Sequence, residues 1–195
     1  MELVLKHCSD LRQRKTHRAI NAAFFALLAH GAFDDITVLQ LVNEAEIGQT
    51  TFYRHYADKF ELAQEAINLH LNALSELFFT QLCDAHEDPP TDLDPSEFAQ
   101  LISRIRALHQ IQTPEVSFER EAKACISETI QTVMHRHDLH FTYPQATTAH
   151  LAALFYSFLG GLLEETPAES AVASATTQLR ELTQVLRVLL TKARH

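Results

Sequence analysis

TVLQLVNEAEIGQTTFYRHYADK, residues 37–59, contains two short helices and the start of a third. Thr37 is a natural N-cap, and Gln40 three residues on completes a capping box. Val38, Leu41, Val42 and Ala45 then fall on one helical face and predict its buried side. A tight turn separates this helix from a second, Gln49-Thr50-Thr51-Phe52-Tyr53-Arg54-His55-Tyr56. That second helix has no Ala or Leu and is dense in hydroxyl, amide, imidazole and guanidinium groups. Such groups reach phosphates and base edges, so the pair has the spacing and chemistry of a helix-turn-helix. Phe52 and Tyr56, four apart, predict the face that anchors the recognition helix to the core. Asp58 opens the next helix, with Glu61 at its capping-box position.

Working outward, Ile20, Phe24, Leu27 and Leu28 form a helical stripe before this segment, and His30-Gly31 reads as its stop, with Gly31 at C′. After it, the long helix from Asp58 carries Ala63, Ala66, Ile67, Leu74, Leu77 and Phe78. Acidic, Pro-containing residues 84–95 read as a loop. Phe98, Leu101, Ile105 and Leu108 predict another helix, with a break at Thr113-Pro114. A regular series follows from Ala122 through Cys125, Ile126, Thr129 and Ile130 to Met134. Beyond Tyr143-Pro144, Leu151, Leu154, Phe155, Phe158, Leu159 and Leu162 mark an apolar helix of about residues 147–165. Gly160-Gly161 within it predict either close approach of another helix or a break. Thr166-Pro167-Ala168-Glu169 launches a last helix over 167–192. The expectation is an all-α chain of about nine helices: a helix-turn-helix unit over 1–57 and a larger helical unit for ligand binding and dimerisation over 58–195.

The net charge of −9 lies wholly after residue 60. Residues 1–60 carry seven Lys/Arg against seven Asp/Glu, the remainder nine against eighteen. Arg12, Arg14, Lys15 and Arg18 give the first segment a local basic run, a modest footprint for nucleic acid. Cys8, Cys83 and Cys125 are scattered and form no CxxC, which fits reduced thiols in the cytoplasm. No stretch has the ~18 consecutive apolar residues of a membrane span. His135, His137 and His140 lack the spacing of a metal site, and no cofactor is expected. No Gly-rich phosphate loop, GxSxG or HExxH is present, so an enzyme is not expected.

The run Thr51-Phe52-Tyr53-Arg54-His55-Tyr56-Ala57-Asp58-Lys59, with Leu62, Ile36-Thr37, Leu41, Ala45, Ile47 and the Phe24-to-Gly31 helix end, resembles the tetracycline-repressor (TetR) family of regulators. The resemblance covers about residues 15–65. It implies that Gln49, Thr50 and Tyr53 face bases or nearby backbone, and that Thr37, Thr51, His55 and Lys59 touch phosphates. Arg54 joins them as a residue suited to reading guanine. Lys59 falls at the positive end of a helix dipole, a conflict that a docked phosphate would remove.

Three positions depart from the family pattern. Glu46 stands where the turn commonly has Gly, Gly48 replaces a Ser or Thr cap, and Leu39 replaces a polar or basic residue. The expected function is a sequence-specific transcriptional regulator, a repressor released by a small molecule. Its expected partners are palindromic double-stranded DNA, a second copy joined through the last two helices, and an apolar inducer. Phe78, Ile105, His109, Ile130, Met134, Phe155, Tyr156 and Phe158 are the candidate pocket residues. Leu39, Glu46 and the acidic balance leave a second reading open, a TetR-like protein-interaction module that has lost DNA binding.

Overall fold

The computed structural model describes residues 2–83, 95–136, 138 and 141–164, with side chains for 13–76, 96–136, 138, 141–161 and 163. Its elements are α1 (Glu2–Leu28), a 3-10 turn (Phe33–Asp35), α2 (Val38–Glu44), α3 (Gln49–Tyr53), α4 (Lys59–Cys83), α5 (Pro95–His109), α6 (Phe118–Arg136) and α7 (Pro144–Glu164). The all-α expectation holds, with seven α-helices among the described residues. The predicted 84–95 loop, apart from Pro95 itself, and the predicted 167–192 helix lie outside them. No helix among the described residues is long and apolar enough to cross a membrane.

The apolar stripes do what their spacing predicts. Ile20 and Phe24 from α1, Leu41 and Val42 from α2, Phe52 from α3, and Leu62, Ala63 and Ile67 from α4 are buried in one cluster. That cluster runs on without interruption into Ile102, Ile105 and Leu108 of α5, Phe118 and Ala122 of α6, and Leu159 and Leu163 of α7. A smaller cluster joins Ile130, Met134 and Phe155.

A polar seam ties α1 to the helices beyond it. The edge of the buried His70 ring on α4 meets Phe25 of α1 at 5.2 Å. Arg104 of α5 lies 5.4 Å over the same Phe25 ring and 3.5 Å from His70 Nε2. His70 Nδ1 lies 2.7 Å from the Ala66 carbonyl. Burial holds the His70 pKa below its ordinary value. After α5, Gln110 donates to the Leu28 carbonyl at 3.2 Å and closes the end of α1.

One glycine expectation is corrected, and one alternative is removed. Gly31 is not left-handed, since no glycine among the described residues has positive φ. α1 ends instead by tightening, with the amides of both His30 and Gly31 donating to the Leu27 carbonyl at 3.1 Å. Gly160 and Gly161 do not break α7, and a Cβ at either would meet nothing described within 4 Å.

The α2–α3 turn keeps a left-handed residue even though that residue is not glycine. Glu46 has φ 52°, a left-handed conformation that a side chain disfavours by about 1–2 kcal/mol. Glycine relieves that strain but adds freedom to the unfolded chain, so Glu46→Gly should raise stability by about 0.5–1 kcal/mol. A urea melt checks this; an unchanged or lower midpoint would mean that the turn is not strained.

Candidate nucleic-acid interface

The capping box at the start of α2 is formed. Thr37 Oγ1 accepts from the Gln40 amide at 3.2 Å, and the Thr37 amide donates to Gln40 Oε1 at 2.8 Å. The Thr37 hydroxyl also lies 2.8 Å from Gln40 Oε1, so most of its capacity is spent on the cap.

α3 is only five residues long, shorter than the predicted Gln49–Tyr56 segment. Gly48 caps it without a side chain, and its carbonyl accepts from the Thr51 and Phe52 amides. Past Tyr53 the chain continues as a turn, where the His55 and Tyr56 amides both return to the Phe52 carbonyl. Phe52 and Tyr56 are nonetheless buried, as their spacing predicts, with rings 5.7 Å apart. Gln49, Thr50, Tyr53 and Arg54 are left exposed, Tyr53 at 56%. Thr51 and His55 are half-buried. On α2, Leu39 is exposed to the same degree, 56%.

Tyr56 is held from α1 and α4. Its hydroxyl lies 2.8 Å from His17 Nε2, which is 3.3 Å from Glu65 Oε1. Burial first, and then Glu65, push the Tyr56 pKa well above its ordinary value, so the hydroxyl stays protonated. The His17 ring meets the His55 ring edge-on at 5.9 Å. His55 Nε2 is buried without a hydrogen-bond partner. Burial, then His17 and Arg54, lower the His55 pKa, so this ring is neutral at neutral pH. Gln13, Arg14, His17, Arg54 and His55 together line an open pocket of about 330 Å³. Gln13 and His17 were not singled out from the sequence. The signal available was the Arg14–His17 spacing of three, which puts both on one face of α1.

Lys59 has a task that the sequence did not reveal. Its ammonium donates to the carbonyls of Phe33 (3.0 Å), Asp34 (2.9 Å) and Ile36 (2.8 Å). It also lies 4.7 Å from the centroid of the Phe33 ring and 5.5 Å from that of Phe60. An ammonium has three donors, and all three are used here. The 3-10 turn and Ile36 just after it present carbonyls to the start of α4, where Lys59 meets them. The conflict with the α4 dipole is thus offset inside the protein. Asp58 caps α4 through the Phe60 and Glu61 amides, and Glu61 accepts from the Ala57 amide at 2.6 Å.

Farther along the fold, an apolar cavity of about 50 Å³ sits between α4, α6 and α7. Of the candidate pocket residues, Ile130 and Phe155 line it, beside Leu71, Leu74, Ile126 and Leu159. Met134 packs with Ile130 and Phe155, and Ile105 is buried in the main core. His109 and Tyr156 pair with each other elsewhere, stacked and 3.3 Å apart at Nε2 and Oη. Phe158 packs partly buried on the main core. The side chain of Phe78 is outside the described residues, as are His137 and His140. No group of metal-ligating side chains occurs among the described residues.

No family model matches the chain. Over 59 residues it is 37% identical to an uncharacterized HTH-type transcriptional regulator of Haemophilus influenzae. That match spans 30% of this chain and only 29% of the relative's length. Among solved structures it is similar to the dihydroxyacetone kinase operon activator DhaS, with a TM-score of 0.52 at 16% identity, over 92% of this chain and 96% of that one. That likeness is one of fold. A TetR-family transcriptional regulator from Streptomyces coelicolor is also similar, with a TM-score of 0.49 at 14% identity over 91% and 99% of the two chains.

Proposed function

We propose that this chain is a sequence-specific DNA-binding transcriptional regulator of the cytoplasm, and that α3 enters the major groove. One observation carries the reading. A five-residue helix is pinned by Phe52 and, just past it, Tyr56, while Gln49, Thr50, Tyr53 and Arg54 stay in solvent. A polar face held out by two buried aromatics suits base edges, and the Arg14–Arg54 pocket beside it suits backbone phosphate. Thr37, Thr51 and His55 are the nearest further candidates for phosphate contact. One such helix covers few base pairs, so the protein acts as a homodimer on a palindromic operator. α7 and the 167–192 segment supply the interface, and residues 1–57 and 58–195 divide reading from sensing. The apolar cavity favours a repressor released by a small ligand.

Tyr53→Ala tests the assignment. Its ring is exposed, so folding should be unaffected. After an operator is selected from a random DNA pool, the variant should lose about 1–2 kcal/mol more on that operator than on a scrambled duplex. Equal loss on both would remove α3 from the groove. The exposed Leu39 favours a second reading, a protein-interaction module. Failure of the wild-type protein to enrich any sequence at low salt would support that one instead.

A further inference from the structure

The apolar cavity between α4, α6 and α7 adjoins a separate, more polar outer groove of about 530 Å³, and Ser75, Cys125 and Thr129 line both. At that shared boundary, Ser75 Oγ and Thr129 Oγ1 are hydrogen-bonded across α4 and α6. Thr129 Oγ1 already donates to the Cys125 carbonyl at 2.9 Å, so in the bond between the two hydroxyls Ser75 is the donor and Thr129 the acceptor. The Cys125 thiol faces Asn72 Oδ1 at 3.8 Å beside them. Outside, the groove carries two carboxylates, Glu76 and Glu128, against one guanidinium, Arg136.

We propose that this site binds a small uncharged amphiphile, an aliphatic alcohol in chemical class. Its alkyl part fills the cavity and its hydroxyl enters between Ser75 and Thr129. The free volume of about 50 Å³ exceeds the ~10–15 Å³ that one water needs, and its lining of Leu71, Leu74, Ile126, Ile130, Phe155 and Leu159 offers a water no partner. A short alkyl chain suits that space. At that boundary, an inserted hydroxyl accepts from Ser75 and donates to Thr129, so every polar group stays satisfied. A carboxylate has no proton for Thr129 and meets the excess of negative charge in the groove. An ammonium has no lone pair for Ser75. Burying either charge at the rim of an apolar cavity without a partner is unfavourable.

The proposal deepens the ligand-release reading of the same cavity. Its test uses the free full-length protein, so its failure would leave the DNA measurement standing. Calorimetric titration at neutral pH should give a saturable isotherm for 1-hexanol, with hexanoate and hexylamine at least about tenfold weaker. Thr129→Val, equal in shape but without the hydroxyl, should weaken 1-hexanol by about tenfold. Ser75→Ala reads the same bond from α4 should the first variant fold poorly. Hexanoate or hexylamine binding as tightly as hexanol would overturn the proposal. So would an unchanged hexanol affinity in a folded variant, or no saturable hexanol binding up to about 10 mM.

Discussion

Phe52→Ala should cost the fold about 3–5 kcal/mol, the range for emptying a buried phenylalanine site. The ring is fully buried, and it meets Tyr56 at 5.7 Å within the cluster shared by α1, α2 and α4. Within α3 itself, Phe52 is the one buried residue. A five-residue helix does not persist in water by itself, and its N-cap is a glycine with no side-chain bond. Domains of this size have only about 5–15 kcal/mol of stability, so the loss is a large share of the whole. Urea denaturation followed by circular dichroism should show the midpoint falling sharply. Operator binding should disappear at temperatures where the wild type still binds. A loss below about 1 kcal/mol would mean that α3 is anchored by something other than this ring.

Lys59→Ala should be the second largest effect, a loss of about 2–3 kcal/mol in stability. The substitution strips three carbonyls of their charged donor and removes the cation from over Phe33. Lys59→Arg should recover less than half of it. A planar guanidinium cannot direct donors at the three carbonyls, which converge on one ammonium. The outcome separates two roles for the same residue. A lysine that only touched phosphate would leave the urea midpoint unchanged and lower the salt dependence of DNA binding by about one contact per subunit, and arginine would replace it well. A stable Lys59→Ala variant with a reduced salt slope would therefore refute the clamp.

What the sequence disclosed and what it concealed follow from the range of each interaction. The Thr37–Gln40 box and the Phe52 and Tyr56 anchor depend on neighbours within four residues, and capping signals and periodicity expose these. The partners of Lys59 are 23 to 26 residues away, on a 3-10 turn with no signature of its own. A helix-dipole argument detected that something unusual occurs at Lys59 but supplied a phosphate in place of three carbonyls. The cavity shows the same limit. The spacing of Cys125, Ile126, Thr129 and Ile130 identified an inward face of α6, yet which of its members border free volume depends on Leu71, Leu74 and Ser75, fifty or more residues earlier. His109 and Tyr156 were plausible polar anchors individually. In the fold they satisfy each other, away from the cavity.

The seam at Phe25, His70 and Arg104 bears on how this molecule can be recombined. A designer who wished to transplant its first three helices onto another protein would cut the chain near residue 57. That cut would leave Leu62, Ala63, Ala66 and Ile67 behind, although they are packed into the cluster that contains Phe24, Leu41 and Phe52. It would also discard Gln110, which closes the end of α1, and Arg104, which covers Phe25. The portable piece is accordingly larger than residues 1–57. It extends through Leu71 on α4, and its acceptor must supply a substitute for the end of α5.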